Sequence, residues 1–327
     1  MIDFRDFLIK ADDAVKKHSL GNGSFSRLVT DNTDDDSYIC GCTDAVNIMY
    51  ILNKLPKSYS ARSKYIKIIQ ALQNPDTGLF HNNSDDDYYF TAYCAAALEL
   101  LNARTLYPIK EMEVLADTKP FMDFVKEQPW SREPQTAAYR TSAVHASLSS
   151  CESETFAFKK TYFNWLWEHT DGDTGLIRRG FIDYRRIQPF LYLAGMFYYV
   201  LTLEFEHMPI RYPARTIDTC IQLYDRGLST GFENDALTEA LSWIYCTSRA
   251  MRQTDYRFRD CKSRMVKFEK TYTEYVLSLS FESNMELGNL HNLCIALCTI
   301  AEFQSALPGT IMTEKPLNNI LDKQPFI

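Results

Sequence analysis

The chain has 327 residues and a formal net charge of −7, from 42 acidic and 35 basic side chains. This balance argues against nucleic acids and anionic membranes as partners bound through bulk electrostatics. Hydrophobic residues make up 46% of the chain, enough for the full core of a globular protein.

The N-terminal segment and the cysteines predict a cytoplasmic protein. Residues 1–17 place Asp within their apolar stretch and lack a cleavage-like site, so we expect no secretion peptide. The nine cysteines are odd in number and scattered through apparent helices, which favours reduced thiols. The longest nearly apolar run, 190–203, is shorter than the ~20 residues of a membrane-spanning helix and predicts a buried helix instead.

Helical periodicity recurs along the whole chain, and two kinds of segment alternate. Amphipathic segments with many charges predict outer helices at 2–18, 60–73, 117–127, 155–168, 212–225 and 257–279. Segments with small or apolar residues on several faces predict inner helices at 36–54, 87–103, 135–150, 185–206, 234–252 and 288–306.

The inner segments begin about fifty residues apart, which is the length of one outer and one inner helix. Six such pairs predict an all-α fold, an (α/α)6 barrel or toroid that forms a single domain over residues 1–327. Residues 307–327 leave the helical pattern with prolines and apolar anchors. They predict a C-terminal tail packed on the barrel.

Two loops have similar sequences and occupy the same position in their repeats. Asn74-Pro-Asp-Thr-Gly-Leu79 and Asp171-Gly-Asp-Thr-Gly-Leu176 each follow an outer helix and predict a turn with Gly at positive φ. Together with Thr91-Ala-Tyr-Cys-Ala-Ala-Ala-Leu98, the first loop resembles a repeat of the α/α-toroid enzymes. Two branches of these enzymes have repeats of this kind. One is the six-hairpin glycosidases, which include unsaturated uronyl hydrolases, and the other is the terpenoid cyclase and protein prenyltransferase group.

The resemblance implies that the N-terminal ends of the inner helices surround a central cavity. Asp triplets occupy the first two of these ends, at 34–36 and 85–87. By similarity to the uronyl hydrolases, Asp36 and Asp87 would be the acid and base that cleave a glycosidic bond in an acidic sugar. Capping of the helix N-terminus is the alternative role for each triplet.

Further side chains at these ends are candidates for binding an oligosaccharide or another small-molecule substrate. Arginines bind carboxylates through two parallel hydrogen bonds, and aromatic rings stack on sugar faces. The candidates for substrate binding are Tyr88, Arg140, Tyr184, Arg185, Arg186, Asp235 and His291.

Two other functions stay open at this point. A terpenoid-cyclase-like enzyme would need Asp-x-Asp-Asp, but Asn32-Thr-Asp-Asp35 and Ser84-Asp-Asp-Asp87 both lack the first Asp. A non-catalytic toroid that binds a glycan, a peptide or a partner protein is the third possibility. The histidines and cysteines show no zinc spacing and no phosphate loop is present, so we predict no metal and no cofactor. The sequence leaves the oligomeric state open.

Overall fold

A computed structural model describes residues 1–21, 23–29, 37–82, 85–153, 155–177, 189–228 and 236–327, with the backbone alone at 37–40 and 189. This part of the chain is mostly helical and contains little sheet, which confirms the all-α prediction. Its helices are α1 (Arg5–Lys17), α2 (Ser37–Ile51), α3 (Tyr59–Gln70), α4 (Asp87–Leu100), α5 (Lys110–Val114), α6 (Thr118–Glu127), α7 (Pro134–Ser150), α8 (Phe156–His169), α9 (Pro189–Phe205), α10 (Pro213–Leu223), α11 (Ala236–Gln253), α12 (Phe258–Ser278) and α13 (Leu290–Ala306).

Each of the twelve predicted segments contains an α-helix, and among the α-helices of the described ranges the five-residue α5 alone was not predicted. The predicted outer helices α1, α3, α6 and α10 bury one face each. The predicted inner helices α4, α7, α11 and α13 are buried on nearly all sides. The apolar run 190–203 lies in α9 and is buried from position 192 to 203, as predicted. In the described ranges, no helix combines the length and apolar character needed to cross a membrane.

The described residues form two compact units. The first unit comprises residues 1–111, 273–323 and 327, and the second comprises 112–272 and 324–326. In the first unit α2 packs against α1, α3, α4 and α13. In the second unit α9 lies between α7 and α11, while α10 packs on α11 and α6 packs on α8. The prediction that residues 1–327 form a single domain remains a prediction.

Backbone hydrogen bonds join distant segments of the first unit at one pair of short strands and at Asn318, and a second pair of short strands is local. Strand β1 (Ile2–Asp3) pairs in parallel with β4 (Ile311–Met312), and β2 (Ser19–Gly21) pairs antiparallel with β3 (Ser24–Phe25). Farther along the C-terminal segment, the Asn318 backbone N–H donates to the Ile51 carbonyl at 3.0 Å. A 3₁₀ turn at Ile320–Asp322 then buries Ile320 and Leu321. The C-terminal segment of the first unit is therefore ordered by backbone bonds as well as by apolar burial.

The two loops with matching sequences have matching structures. In the first, the backbone N–H of Asn74 donates to Leu79 O and that of Gly78 donates to Asn74 O, both at 2.8 Å. In the second, Asp171 donates to Leu176 O and Gly175 donates to Asp171 O at the same distance. Gly78 and Gly175 have φ of +79° and +72°, which confirms the predicted turn.

These glycines are also sites of close approach, which generates a stability prediction. A Cβ on Gly78 would collide with the carbonyl oxygen of Pro108, in addition to the strain of a positive φ. We expect Gly78→Ala to lower the free energy of unfolding by about 3 kcal/mol, measured by urea titration.

Gly309→Ala is the matched control, because φ is +86° there but nothing lies within 4 Å of the added Cβ. We expect Gly309→Ala to lower the free energy of unfolding by only about 1 kcal/mol. Equal losses for the two variants would mean that close packing at Pro108 contributes nothing.

Candidate functional site

The candidate site is centred on a carboxylate inside α2. Asp44 is the single charged residue of that helix, and its side chain is fully buried. Its Oδ2 accepts from Arg27 Nε at 2.9 Å, and its Oδ1 accepts from Tyr93 Oη at 2.6 Å. The same Oδ1 lies 3.0 Å from His291 Nδ1. We call these four residues, Arg27, Asp44, Tyr93 and His291, the Asp44 cluster.

Charge and hydrogen bonding keep Asp44 ionised. Burial by itself raises the pKa of this carboxyl, but the Arg27 guanidinium and the hydrogen bonds from His291 and Tyr93 outweigh it. The pKa therefore falls from its ordinary value of 3.8 to about 2. Burial and the neighbouring Asp44 charge raise the pKa of the Tyr93 phenol well above its usual range. Tyr93 is thus a protonated donor facing a carboxylate anion.

The position of Arg27 depends on a glycine one helical turn before Asp44. A Cβ on Gly41 would lie 2.5 Å from the backbone nitrogen of Arg27 and would also collide with Ser26. The absence of a side chain at Gly41 lets segment 25–27 lie directly against α2. The Arg27 guanidinium then bridges two carboxylates, with Nε on Asp44 and Nη1 2.9 Å from Asp85 Oδ2.

His291 is held at the start of α13 by its backbone and by its ring. Its backbone N–H donates to the capping side chain of Asn289 at 2.9 Å. The rings of Tyr89 and Tyr93 meet the imidazole edge to face, with centroids at 6.5 and 5.9 Å. One quarter of the side chain stays exposed. The cluster therefore joins a buried anion to an imidazole that solvent can reach.

The acids of the second Asp triplet have three different environments. Asp85 pairs with Arg27, and Asp86 caps α4 by accepting from the backbone N–H groups of Tyr88 and Tyr89. Asp87 Oδ1 lies 2.7 Å from His81 Nδ1, and 41% of the Asp87 side chain is exposed. Capping thus accounts for one residue of the triplet, while Asp87, the predicted catalytic residue, is partly exposed beside a histidine.

The other predicted residues fall into two groups. Tyr88 is half-buried in the first turn of α4, and Arg140 is half-buried in α7 of the second unit. The catalytic candidate Asp36 lies outside the described residues, as do the binding candidates Tyr184, Arg185, Arg186 and Asp235. Of the candidates within the first unit, His291 belongs to the Asp44 cluster. Tyr88 directly precedes Tyr89 in the sequence, and the ring of Tyr89 contacts His291.

Sequence reasoning missed Asp44, Arg27 and Tyr93. One signal was present, because Asp44 is a lone charge among Cys42, Thr43, Ala45 and Val46 in a segment predicted to be an inner helix. A charge on a buried helix needs a partner of opposite sign. Nothing in the sequence, however, indicates that this partner is Arg27.

A groove of about 340 Å³ lies elsewhere in the first unit, between α1, the end of α2 and the C-terminal segment. None of the Asp44 cluster residues lines it. Its charges are partly paired with one another, since Asp12 contacts Lys16 at 2.8 Å and Lys54 at 3.8 Å. The Asp44 cluster is therefore the candidate site because of its ionisable, hydrogen-bonded groups and not because of the volume of a cavity.

Within the described ranges, no group of three His, Cys, Asp or Glu side chains lies where it could share a metal ion. No protein-family model, curated protein sequence or solved structure matches this chain.

The buried carboxylate gives a stability prediction with a defined pH window. We expect Asp44→Asn to lower the free energy of unfolding at pH 7 by about 3 kcal/mol, because Arg27 would keep a buried charge with a weaker partner. Since the pKa of Asp44 is depressed in the folded state, its stabilisation is complete above pH 4. About 2 kcal/mol of it is lost as the pH falls toward 2.

The measurement is urea unfolding of both proteins at pH 7, 5, 4 and 3, and the difference between them should shrink below pH 4. Asp76→Asn, in an exposed turn, is the control and should change stability by less than about 0.5 kcal/mol at each pH. A difference that does not vary with pH would mean that Asp44 is not ionised in the folded protein.

Proposed function

We propose that this chain is an enzyme that hydrolyses a glycosidic bond in an acidic sugar by acid/base catalysis. The observation that carries this proposal is the partly exposed His291, held by the fully buried, ionised Asp44. A buried carboxylate is costly to keep in a helical core unless paired, and ionisable groups with strongly shifted pKa values concentrate at functional sites.

Two of the candidate residues, Asp87 and His291, lie on helices that pack on the same third helix of the first unit. Asp87 begins α4, and His291 is the second residue of α13. Both helices pack on α2, and Tyr89, two residues after Asp87, contacts the His291 ring. Glycoside hydrolysis needs one group that protonates the leaving oxygen and one that activates water or attacks the sugar. Following the resemblance to the uronyl hydrolases, we assign these roles to Asp36 and Asp87.

The acidic sugar is proposed from the sequence. The resemblance to the uronyl hydrolases implies an anionic substrate, and Arg140, Arg185 and Arg186 supply side chains suited to a carboxylate. We further propose the (α/α)6 toroid. It is supported by the packing of the predicted inner helices on one another. In the first unit α2 packs on α4 and on α13, and in the second unit α9 packs on α7 and on α11.

The terpenoid-cyclase-like alternative has less support. Its protonating motif, Asp-x-Asp-Asp, is incomplete at Asn32-Thr-Asp-Asp35 and at Ser84-Asp-Asp-Asp87, which both lack the first Asp. Asp85 is engaged by Arg27, and Asp86 is engaged by the start of α4. A non-catalytic toroid that binds glycans is the other alternative, and the oligosaccharide assay distinguishes it from an enzyme.

The test is an assay of oligosaccharides with a uronate residue beside neutral oligosaccharides of the same length. We expect the wild-type protein to release reducing sugar from the uronate-containing set. Asp87→Asn should lower kcat/KM by about 100-fold or more, because the amide cannot exchange a proton with the leaving oxygen.

Asp86→Asn is the matched control, since it removes one charge from the same triplet while asparagine caps a helix as well as aspartate does. Its activity should stay within about threefold of wild type. Binding of the uronate set, seen by calorimetry, without any hydrolysis would instead identify a glycan-binding protein.

A further inference from the structure

The hydrogen bond between Asp44 and His291 determines which nitrogen of the imidazole carries a proton. An ionised carboxylate has only acceptor atoms, so His291 Nδ1 must be the donor across the 3.0 Å contact. In the neutral ring the lone pair is then on Nε2. Nε2 has no hydrogen-bond partner among the described residues and is not one of their buried unpartnered atoms. It is the nitrogen that can face a bound molecule.

Asp44 itself cannot touch a substrate, because its side chain has no exposed surface. Its carboxylate is nevertheless held by three donors from three segments, a rigid arrangement that orients His291. The edges of Tyr89 and Tyr93 restrict rotation of the same ring. A ring that is fixed in position and tautomer, with one basic nitrogen directed away from its anchor, is suited to accept a proton.

We infer that His291 is the general base of the proposed hydrolysis and that Asp44 is its positioning residue. This inference rests on the proposed function, but it moves the role of base from the carboxylates to an imidazole. Water attacks the anomeric carbon and passes one proton to Nε2 of His291, while the glycosidic C–O bond breaks. The leaving oxygen takes a proton from Asp87, the general acid of the proposed hydrolysis. Proton exchange with solvent then returns both residues to their starting states.

A base that activates water has a stereochemical consequence. Direct attack by water inverts the configuration of the anomeric carbon, whereas a carboxylate nucleophile would retain it through a covalent intermediate. The inference therefore narrows the proposed enzyme to an inverting hydrolase, and the first-formed sugar should have the opposite anomeric configuration to the substrate.

The first experiment needs no substrate. Nitrogen-15 NMR of the histidine-labelled full-length protein, assigned with His291→Ala, should show a protonated Nδ1 and a bare Nε2 in the neutral ring. Asp44→Asn should shift this tautomer toward a protonated Nε2. A wild-type ring with its proton on Nε2 would overturn the inference about His291 and leave the proposed function standing.

The second experiment uses the uronate-containing oligosaccharides. His291→Ala should lose about 1,000-fold in kcat, and added imidazole should restore part of the loss by replacing the missing base. This variant truncates a partly exposed side chain and keeps Asp44 intact, so it serves even if Asp44→Asn fails to fold. Asp86→Asn is again the control and should gain nothing from imidazole.

The outcomes separate the two ideas. If the wild-type protein hydrolyses the sugars but His291→Ala keeps its rate, or the product retains its configuration, the base is not His291 and only this inference falls. If the wild-type protein hydrolyses none of the sugars, the proposed function falls and the catalytic role of His291 falls with it. Inversion together with imidazole rescue is the result we expect.

Discussion

An ionised carboxylate inside a helical core must find hydrogen-bond donors, because burial without partners would cost several kcal/mol. Asp44 finds them in the loop after β3, in α4 and in α13. The first unit is therefore held together at its centre by polar contacts of defined direction as well as by apolar packing. Apolar contacts tolerate small sliding movements of helices, whereas donors aimed at two oxygens do not.

The helices could be predicted from the sequence because the signal for them is local. The spacing of apolar residues and the charges along each segment located all twelve predicted helices. The repeated Asp-Thr-Gly sequence located two equivalent turns. The short α5 was missed, since five residues are too few to show a helical period. The proposed toroid depends on contacts between distant segments, which periodicity alone does not determine.

The candidate site was less predictable because its contacts are long-range. His291 was named from its place at a helix start, but its partner Asp44 lies on a helix whose other residues are uncharged. The Asp85–Asp87 triplet looked like a single feature in the sequence, yet its members bond to Arg27, to the backbone of α4 and to His81. Identical side chains in a row diverge in role because successive residues of a turn point in different directions.

Pairings in the first unit join residues that are far apart along the chain, and this has a consequence for biosynthesis. Asp44 and His291 are 247 residues apart, and β1 pairs with β4. A ribosome adding about 5–20 residues per second makes His291 on the order of 10 to 50 seconds after Asp44. Arg27 and Tyr93 are made within about 50 residues of Asp44, so only the contact with His291 has to wait that long, while residues 112–272 of the second unit emerge without interruption. The contacts of α2 with α13 and of β1 with β4 therefore form late in synthesis, after most of the second unit has emerged.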